Sequence, residues 1–243
     1  MKRILSINII ILAFFSFFLA SCKKEYGNLN NPTVEDFLQN ASKDQLNNLV
    51  IGTVSGMRNN MGLYLDDVGV IGREIYRFSG AEPRYTTDLL GAGSATLGNN
   101  NFYITNPWSA RYRAIKNCNT LIESASNSSA ITAAEKSGYN GFAKTIKAYQ
   151  LLLNLNLTDS NGIRVDVADP SKLGAVVDLN TGLSEIASLL DSAKADFSGA
   201  TISFPLPGFD GFNDVAGFLQ FNRALAARVA VYRQQWNDAL TDL

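Results

Sequence analysis

The chain has 243 residues, of which 46% are hydrophobic and 18% charged, with 21 basic side chains, 22 acidic side chains and no histidine. This composition is typical of a globular protein, and without histidine the chain by itself cannot form a Ser-His-Asp site, a Cys-His site or a histidine-ligated zinc site. The near-neutral charge leaves no excess of basic side chains to neutralise phosphates, so we do not expect nucleic acid as a partner.

The first 21 residues have the pattern of a secretory signal peptide. Two basic residues precede an apolar stretch over residues 4–19, which is too short and too interrupted for a transmembrane helix. The stretch ends in the sequence LASC (residues 19–22), which resembles the lipobox of bacterial lipoproteins. We therefore predict a lipoprotein signal peptide over 1–21, lipidation at Cys22, and a lipidated N-terminus with a polar tether over 22–41.

The first core helix is predicted to begin after Ser42. Ser42 and Gln45 have the spacing of a capping box, and apolar residues follow at helical intervals up to Met61. Over residues 62–106 this periodicity fails, and glycine, asparagine, threonine and serine accumulate. The pattern predicts a long irregular loop, and a loop of this length in a compact domain is usually functional or disordered.

The next two helices have clear start signals. Asn106 and Pro107 form a predicted N-cap and first-turn pair for a helix that runs to about residue 124. A second capping box starts at Thr132, and apolar residues continue at helical spacing to residue 157. Two glycines in this helix, Gly138 and Gly141, indicate close packing against a neighbour.

The remainder of the chain alternates irregular and helical segments. Residues 158–180 are irregular, with the sequence IRVDV (163–167) as the best strand candidate. A helix capped by Thr181 is predicted over 182–198, and another over about 213–233. A last helix begins at Trp236 and stops at Leu243 without a C-cap, so we expect the chain to be a truncated copy of a longer protein.

These elements predict a mainly α fold. Short links join the helices into two antiparallel hairpins, 107–124 with 133–157 and 182–198 with 213–233, which would stack in a tetratricopeptide-like manner with long irregular loops between them. The domain would cover residues 42–243 and be incomplete at its C-terminus. Aromatic and amide side chains on the helical stripes are predicted to be structural: Trp108, Tyr112, Asn119, Tyr149, Tyr232 and Trp236.

Three helical stretches together resemble a known family. They are PWSARYRAIKNCNTLIE (Pro107–Glu123), GFAKTIKAYQLLLNLN (Gly141–Asn156) and NRALAARVAVYRQQWNDAL (Asn222–Leu240). Their order behind a lipobox is similar to that of the SusD/RagB-like outer-membrane lipoproteins. The charged run Lys23-Lys24-Glu25 is also similar to the surface-export signals of Bacteroidetes lipoproteins.

The resemblance implies a fold, a location and a function. It implies a SusD-like α-α superhelix, anchored in the outer membrane by its lipid and exposed at the cell surface. Such a protein sits on a TonB-dependent, SusC-like transporter and binds a glycan or a peptide for import. The family has no catalytic residues and no cofactor to carry over to this chain.

The long loop contains the candidate ligand-binding residues. Carbohydrate sites combine flat apolar faces with amide, carboxylate or guanidinium groups, and loops on a rigid frame are suited to carry them. The loop has both kinds of side chain, with five aromatic residues between residues 76 and 103. The predicted ligand-binding set is Arg73, Tyr76, Arg84, Tyr85, Asn99, Asn101 and Tyr103, whereas Phe102 is predicted to belong to the core.

The other polar or reactive groups in the sequence are not predicted to form a catalytic or metal site. The adjacent Asp66 and Asp67 point apart on a regular element, so a solvated pair is expected rather than a general acid and base. The cluster Asp159, Asn161, Asp166 and Asp169 lacks the ligand spacing of an EF-hand, and we predict no metal. Cys118 is predicted to be a buried, inert thiol.

The sequence therefore favours a receptor that binds without catalysing a reaction. The lipid anchor would hold the receptor close to its transporter, so that even a weak site captures its ligand efficiently. One alternative is a lipid-anchored helical-repeat adaptor that binds peptide or protein partners and imports nothing. A surface glycosidase is a third alternative, which the lack of a convincing carboxylate pair disfavours.

Overall fold

The polypeptide folds mainly into α-helices, as the periodicity predicts. The computed structural model describes residues 34–243, so the predicted signal peptide, Cys22 and the tether up to residue 33 lie outside the described residues. In chain order the elements are α1 (Val34–Asn40), α2 (Lys43–Arg58), α3 (Met61–Ile71), α4 (Arg84–Thr87), α5 (Phe102–Asn127), α6 (Ala133–Thr158), β1 (Ile163–Arg164), β2 (Val176–Val177), α7 (Leu179–Phe197), α8 (Val215–Tyr232) and α9 (Trp236–Asp242).

The long helices pack in sequence as a row of neighbours. Helix α2 contacts α5, and then α5 contacts α6, α6 contacts α7, α7 contacts α8 and α8 contacts α9. The pairs α5–α6 and α7–α8 are the two predicted hairpins. Between α6 and α7 the two short strands pair antiparallel, with Ile163 opposite Val177, which places a strand within the predicted IRVDV segment.

The core of residues 34–243 contains an aromatic cluster and an aliphatic one. Phe142 on α6 lies 5.4 Å from Phe218 on α8, and Tyr139 stacks on Phe204 at 4.5 Å between ring centroids. Further along α6, buried leucines such as Leu151 contribute to an aliphatic cluster with α7 and α8. Helix α6 therefore contributes to both clusters and lies at the centre of the stack.

A buried amide connects three of the helices. The side chain of Asn222 on α8 donates to Thr145 Oγ1 on α6, at 2.9 Å, and to the backbone carbonyl of Leu190 on α7, at 3.2 Å. The Thr145 hydroxyl in turn donates to the carbonyl of Gly141. Because an unpaired buried amide is costly, these bonds favour one axial register of α6, α7 and α8.

Both predicted capping boxes are confirmed. Ser42 and Gln45 cap α2 reciprocally, and Thr132 and Glu135 do the same for α6. The Glu135 carboxylate also accepts hydrogen bonds from Lys43 Nζ and from Ser203, and these partners lower its pKa to about 2. The first turn of α6 is thereby attached to the start of α2 and to the loop after α7.

The predicted loop over residues 62–106 is wrong at both ends, because each end is helical. Residues 61–71 form α3, and α5 begins at Phe102 rather than after Asn106 and Pro107. The side chain of Asn101 accepts a hydrogen bond from the backbone N–H of Tyr103 and caps α5, so Pro107 lies inside the helix. The irregular segment is confirmed only for the residues between α3 and α5, and these include the short helix α4.

The start of helix α7 also differs from the sequence-based prediction. Asp178, not Thr181, caps α7, because its carboxylate accepts a hydrogen bond from the backbone N–H of Thr181 at 3.0 Å.

The last part of the predicted tether is helical, since it forms helix α1, and Ala41 follows this helix. The carbonyl of Ala41 accepts a hydrogen bond from Ser128 Oγ in the turn after α5. The C-terminal end of the α1 segment is therefore attached to the helical stack.

The glycines of α6 allow close packing, as predicted. A Cβ atom added at Gly138 would lie 2.2 Å from the carbonyl oxygen of Thr201, and one at Gly141 would lie 2.7 Å from the Phe197 ring. The backbone N–H of Thr201 donates to the carbonyl of Ala134 at 2.9 Å, so this loop cannot move away without losing that bond. Within residues 34–243, the structure contains no helix that is long and apolar enough to cross a bilayer.

We predict opposite effects for two glycine-to-alanine substitutions. Gly138→Ala should lower the free energy of unfolding by about 2–3 kcal/mol, because the methyl group would overlap the Thr201 carbonyl. Gly52→Ala on the exposed face of α2 should raise it by about 0.5–1 kcal/mol, since no atom of the described residues lies close to the added Cβ. Urea denaturation measures both values, and equal effects of the two substitutions would contradict the packing described for α6.

Candidate functional site

Four of the predicted ligand-binding residues lie at the surface. Arg73, Tyr76, Arg84 and Asn99 are exposed, on the irregular segment between α3 and α5 or on α4 within it. Arg73 has a positive φ of 63° and donates to the carbonyl of Leu90. Arg84 pairs with Glu82 and lies 4.6 Å from the centroid of the Phe102 ring.

The other three predicted residues are not available to a ligand in this structure. Tyr85 is only 8% exposed and Tyr103 is fully buried, and the two rings pack at 5.3 Å in a small cluster with Val70 and Leu89. The amide of Asn101 caps α5 and donates to Asp88 at 2.8 Å. Phe102, which was predicted to belong to the core, is half-buried and packs against this cluster, and its neighbour Tyr103 is fully buried.

The most exposed aromatic side chains of this segment form a pair. Tyr76 is 61% exposed and Phe78 is 78% exposed, and their ring centroids are 4.7 Å apart. Between them, Arg77 pairs with Asp66 on α3 and stacks on the Tyr85 ring at 4.5 Å. Arg77 therefore attaches the segment to the domain while the Tyr76–Phe78 pair, here called the aromatic platform, faces solvent.

A second candidate site is a cavity of about 560 Å³ between α3, α6, α7 and α8. Leucine side chains from α6 and α7 provide much of its apolar wall, and Tyr64, Tyr149 and Tyr232 contribute three phenol rings. The polar groups are Asn156 and Asp159 at the end of α6 and Arg228 on α8. The complete lining is Met61, Tyr64, Leu65, Val68, Tyr149, Leu153, Leu155, Asn156, Asp159, Leu179, Leu183, Arg228 and Tyr232.

The polar groups of the cavity are in part already arranged by the protein. Nε of Arg228 donates to the Tyr232 hydroxyl at 3.2 Å. Burial raises the pKa of Tyr64 to about 12, with a further contribution from nearby Tyr149, while the Asn156 side chain acts in the opposite direction. The Tyr64 phenol is therefore a neutral hydrogen-bonding group at physiological pH.

Two residues predicted to be structural are instead exposed. Tyr232 is 41% exposed and lines the cavity, and Trp236 is 59% exposed on α9, so neither is a core residue. Both lie at helical spacing with apolar neighbours, but in residues 34–243 no element covers that face fully. Sequence periodicity identifies a stripe without showing that a partner covers it.

The remaining predicted structural residues do connect elements. The Tyr112 hydroxyl bonds to the backbone N–H and carbonyl of Arg164, and Trp108 packs edge-on against Tyr112 at 4.8 Å. Asn119 donates to the carbonyl of Val167 and accepts from Lys147. Tyr149 packs against the aliphatic core with one side and lines the cavity with the other.

The two adjacent aspartates occupy different environments, which corrects the prediction of a solvated pair. Asp66 is half-buried and pairs with Arg77, whereas Asp67 is fully buried on the face of α3 that also carries Tyr64 and Val70. Neither carboxylate oxygen of Asp67 has a hydrogen-bond partner among the described residues. Burial raises the pKa of Asp67 to about 7.

The thiol of Cys118 is buried, as predicted, and burial raises its pKa to about 12. A thiol with so high a pKa contains almost no reactive thiolate at neutral pH. In the part of the chain from residue 34 onward, no group of three or more potential metal ligands comes together.

The cavity is a site that the sequence analysis missed. Its lining residues lie between positions 61 and 232, so no local motif connects them. One local signal was available. A tyrosine on an apolar helical stripe, such as Tyr149, needs a partner or solvent for its hydroxyl, unlike a phenylalanine.

Comparison with protein-family models, with curated proteins and with solved structures gave no match to the chain.

We predict that Asp67 makes the stability of the protein depend on pH. Its folded pKa of about 7 lies above the value of about 3.9 expected in the unfolded chain. The free-energy cost of burying the charged carboxylate is therefore absent below about pH 4 and increases as the pH rises to about 7. Asp67→Asn should therefore raise the free energy of unfolding at pH 8 by about 2–4 kcal/mol and change it little at pH 4.

Asp66→Asn is the matched control on the next residue. It removes a partly exposed ion pair and leaves Asp67 in place, so it should lower stability by up to about 1 kcal/mol and keep the pH dependence that Asp67 causes. Chemical denaturation between pH 4 and pH 8 measures both variants. If the difference in stability between Asp67→Asn and the wild type were the same at pH 4 and pH 8, the pKa of Asp67 would not be raised by folding.

Proposed function

We propose that the chain is a lipid-anchored receptor at the surface of the outer membrane that binds an oligomeric nutrient and delivers it to a TonB-dependent, SusC-like transporter. A glycan is the first choice of ligand, and a peptide is the second. In this proposal the protein carries out no chemical reaction itself. Its role is to bind the oligomer close to the transporter and to release it there.

The observation that carries the proposal is the exposed aromatic platform. Two large aromatic rings that stay exposed to solvent do not contribute the stabilisation that their burial would give. Their exposure as a pair therefore favours a role in binding. Flat rings with arginines beside them are suited to the C–H faces and hydroxyl groups of sugars. Arg73 precedes the platform in sequence, Arg77 lies between its two residues, and Arg84 is exposed further along the same segment.

The scaffold also supports the proposal. The stacked helical hairpins form a rigid frame, and the irregular segment between α3 and α5 projects from it. Binding residues are commonly placed on loops that a rigid scaffold positions. The lipobox at residues 19–22 supplies the anchor, since several acyl chains on one cysteine hold a protein firmly on a membrane.

We predict that the full-length chain, solubilised from the membranes of its own cells, will co-purify a large β-barrel transporter. The Cys22→Ser variant should be released from the membrane fraction and should recover much less of the transporter, because it loses the local concentration provided by the anchor. Affinity purification followed by mass spectrometry makes the measurement. Recovery of soluble partners alone would favour the helical-repeat adaptor.

We also predict that the platform contributes to glycan binding. Replacing Tyr76 and Phe78 together by alanine should weaken the binding of neutral oligosaccharides at least tenfold, as measured by isothermal titration calorimetry. Both side chains are exposed, so the fold should be retained, which circular dichroism can check. Trp236→Ala, which removes an exposed ring elsewhere, is the control and should bind like the wild type. Unchanged affinity of the double variant would remove the platform from the site.

A further inference from the structure

We propose that the cavity between α3, α6, α7 and α8 is a second, separate binding site, which receives one or two neutral sugar rings of a glycan. The inference rests on the proposed function only in its choice of ligand class. The aromatic platform lies on the irregular segment after α3, whereas the cavity is formed by side chains of helices and by the end of α6.

The size of the cavity suits a small ligand. Its volume of about 560 Å³ falls within the range of about 300–1,000 Å³ that is typical of small-molecule sites. Such sites have mostly apolar walls and a few polar groups that fix orientation. Here Leu153, Leu155 and Leu183 supply apolar wall, and the polar groups lie on α3, α6 and α8.

The chemistry of the walls matches a sugar ring. A pyranose presents C–H groups on its faces and hydroxyl groups around its edge. The rings of Tyr64, Tyr149 and Tyr232 can contact the C–H faces, while their hydroxyls and the amide of Asn156 can donate and accept hydrogen bonds. Tyrosine suits this role, because its hydroxyl group can both donate and accept a hydrogen bond.

The charges in the cavity favour a neutral ligand. Arg228 and Asp159 have opposite charges, and no other charged side chain among residues 34–243 lines the cavity. An anionic ligand would face the Asp159 carboxylate, and a cationic one would face the Arg228 guanidinium. Hydroxyl groups can bond to both, since the carboxylate accepts and the guanidinium donates.

Arg228 and Tyr232 contact each other at the cavity. Nε of Arg228 donates to the Tyr232 hydroxyl, and the guanidinium lies 5.8 Å from the ring centroid of the same tyrosine. Among the described residues, the two terminal nitrogens of Arg228 have no hydrogen-bond acceptor. They remain available as donors to a ligand.

A peptide fits the cavity less well. Proteins that bind extended peptides commonly offer backbone N–H and C=O groups along a strand edge. In residues 34–243 the strands β1 and β2 have two residues each, and neither contributes a residue to the cavity. The walls are side chains, which suits a compact ring better than an extended backbone.

The test begins with the purified full-length chain in detergent on an array of neutral hexose and pentose oligosaccharides, uronate-containing and sulfated glycans, and peptides. The affinity for the best neutral oligosaccharide is then measured by calorimetry. Tyr232→Ala and Arg228→Gln should each weaken binding at least tenfold. Tyr232→Phe keeps the ring and should reduce the affinity less than Tyr232→Ala does. Trp236→Ala is the matched control, since it removes an exposed ring four residues away that does not line the cavity.

The outcomes separate this proposal from the proposed function. Loss of binding in both the cavity variants and the platform variant supports two sites on one glycan. Loss in the platform variant alone overturns the cavity site and leaves the receptor function intact. Loss in the cavity variants alone supports the cavity and removes the platform. Binding of peptides or anionic glycans in the cavity overturns the neutral-glycan assignment, and no glycan binding at all overturns both proposals.

Discussion

The register of helices α6, α7 and α8 depends on one buried amide. Asn222 donates to Thr145 on α6 and to the carbonyl of Leu190 on α7, and an axial shift of any of these helices would leave at least one of the groups unpaired in the core. Hydrophobic packing alone tolerates small shifts, because it is not directional. The hydrogen bonds are directional, and they therefore determine which residues of the three helices face one another. The cavity walls contributed by these helices depend on that register.

The parts of the fold that could be predicted are those with local causes. The capping boxes at Ser42 and Thr132 involve residues three apart, so the sequence contains the whole interaction. Helix α3 was missed because its buried face includes Asp67, and a carboxylate at a core position breaks the apolar pattern that indicates a helix. The start of α5 was placed too late because Pro107 is typical of a first turn, whereas here the cap at Asn101 starts the helix earlier.

The candidate site was predictable only in part for a related reason. The aromatic and basic content of the segment between α3 and α5 is visible in the sequence, and Tyr76 is exposed as expected. Burial of an aromatic ring depends on its neighbours in three dimensions, so Tyr85 and Tyr103 could not be distinguished from Tyr76 by residue type. Tyr64 and Arg228 lie far apart in the chain. Only the packing of the helices shows that both residues line the same cavity.

Helix α3 links the two proposed binding surfaces. It contributes Tyr64, Leu65 and Val68 to the cavity, its residue Asp66 pairs with Arg77 beside the platform, and its inner face packs mainly on α5. That inner face includes Asp67, whose carboxylate has no hydrogen-bond partner among the described residues, so the helix is held less firmly than an apolar face of the same size would hold it. Binding surfaces are commonly drawn from the less stable parts of a structure, because they must adjust to a ligand. An apolar residue in place of Asp67 would stabilise α3, and it would at the same time restrict the adjustment of both surfaces.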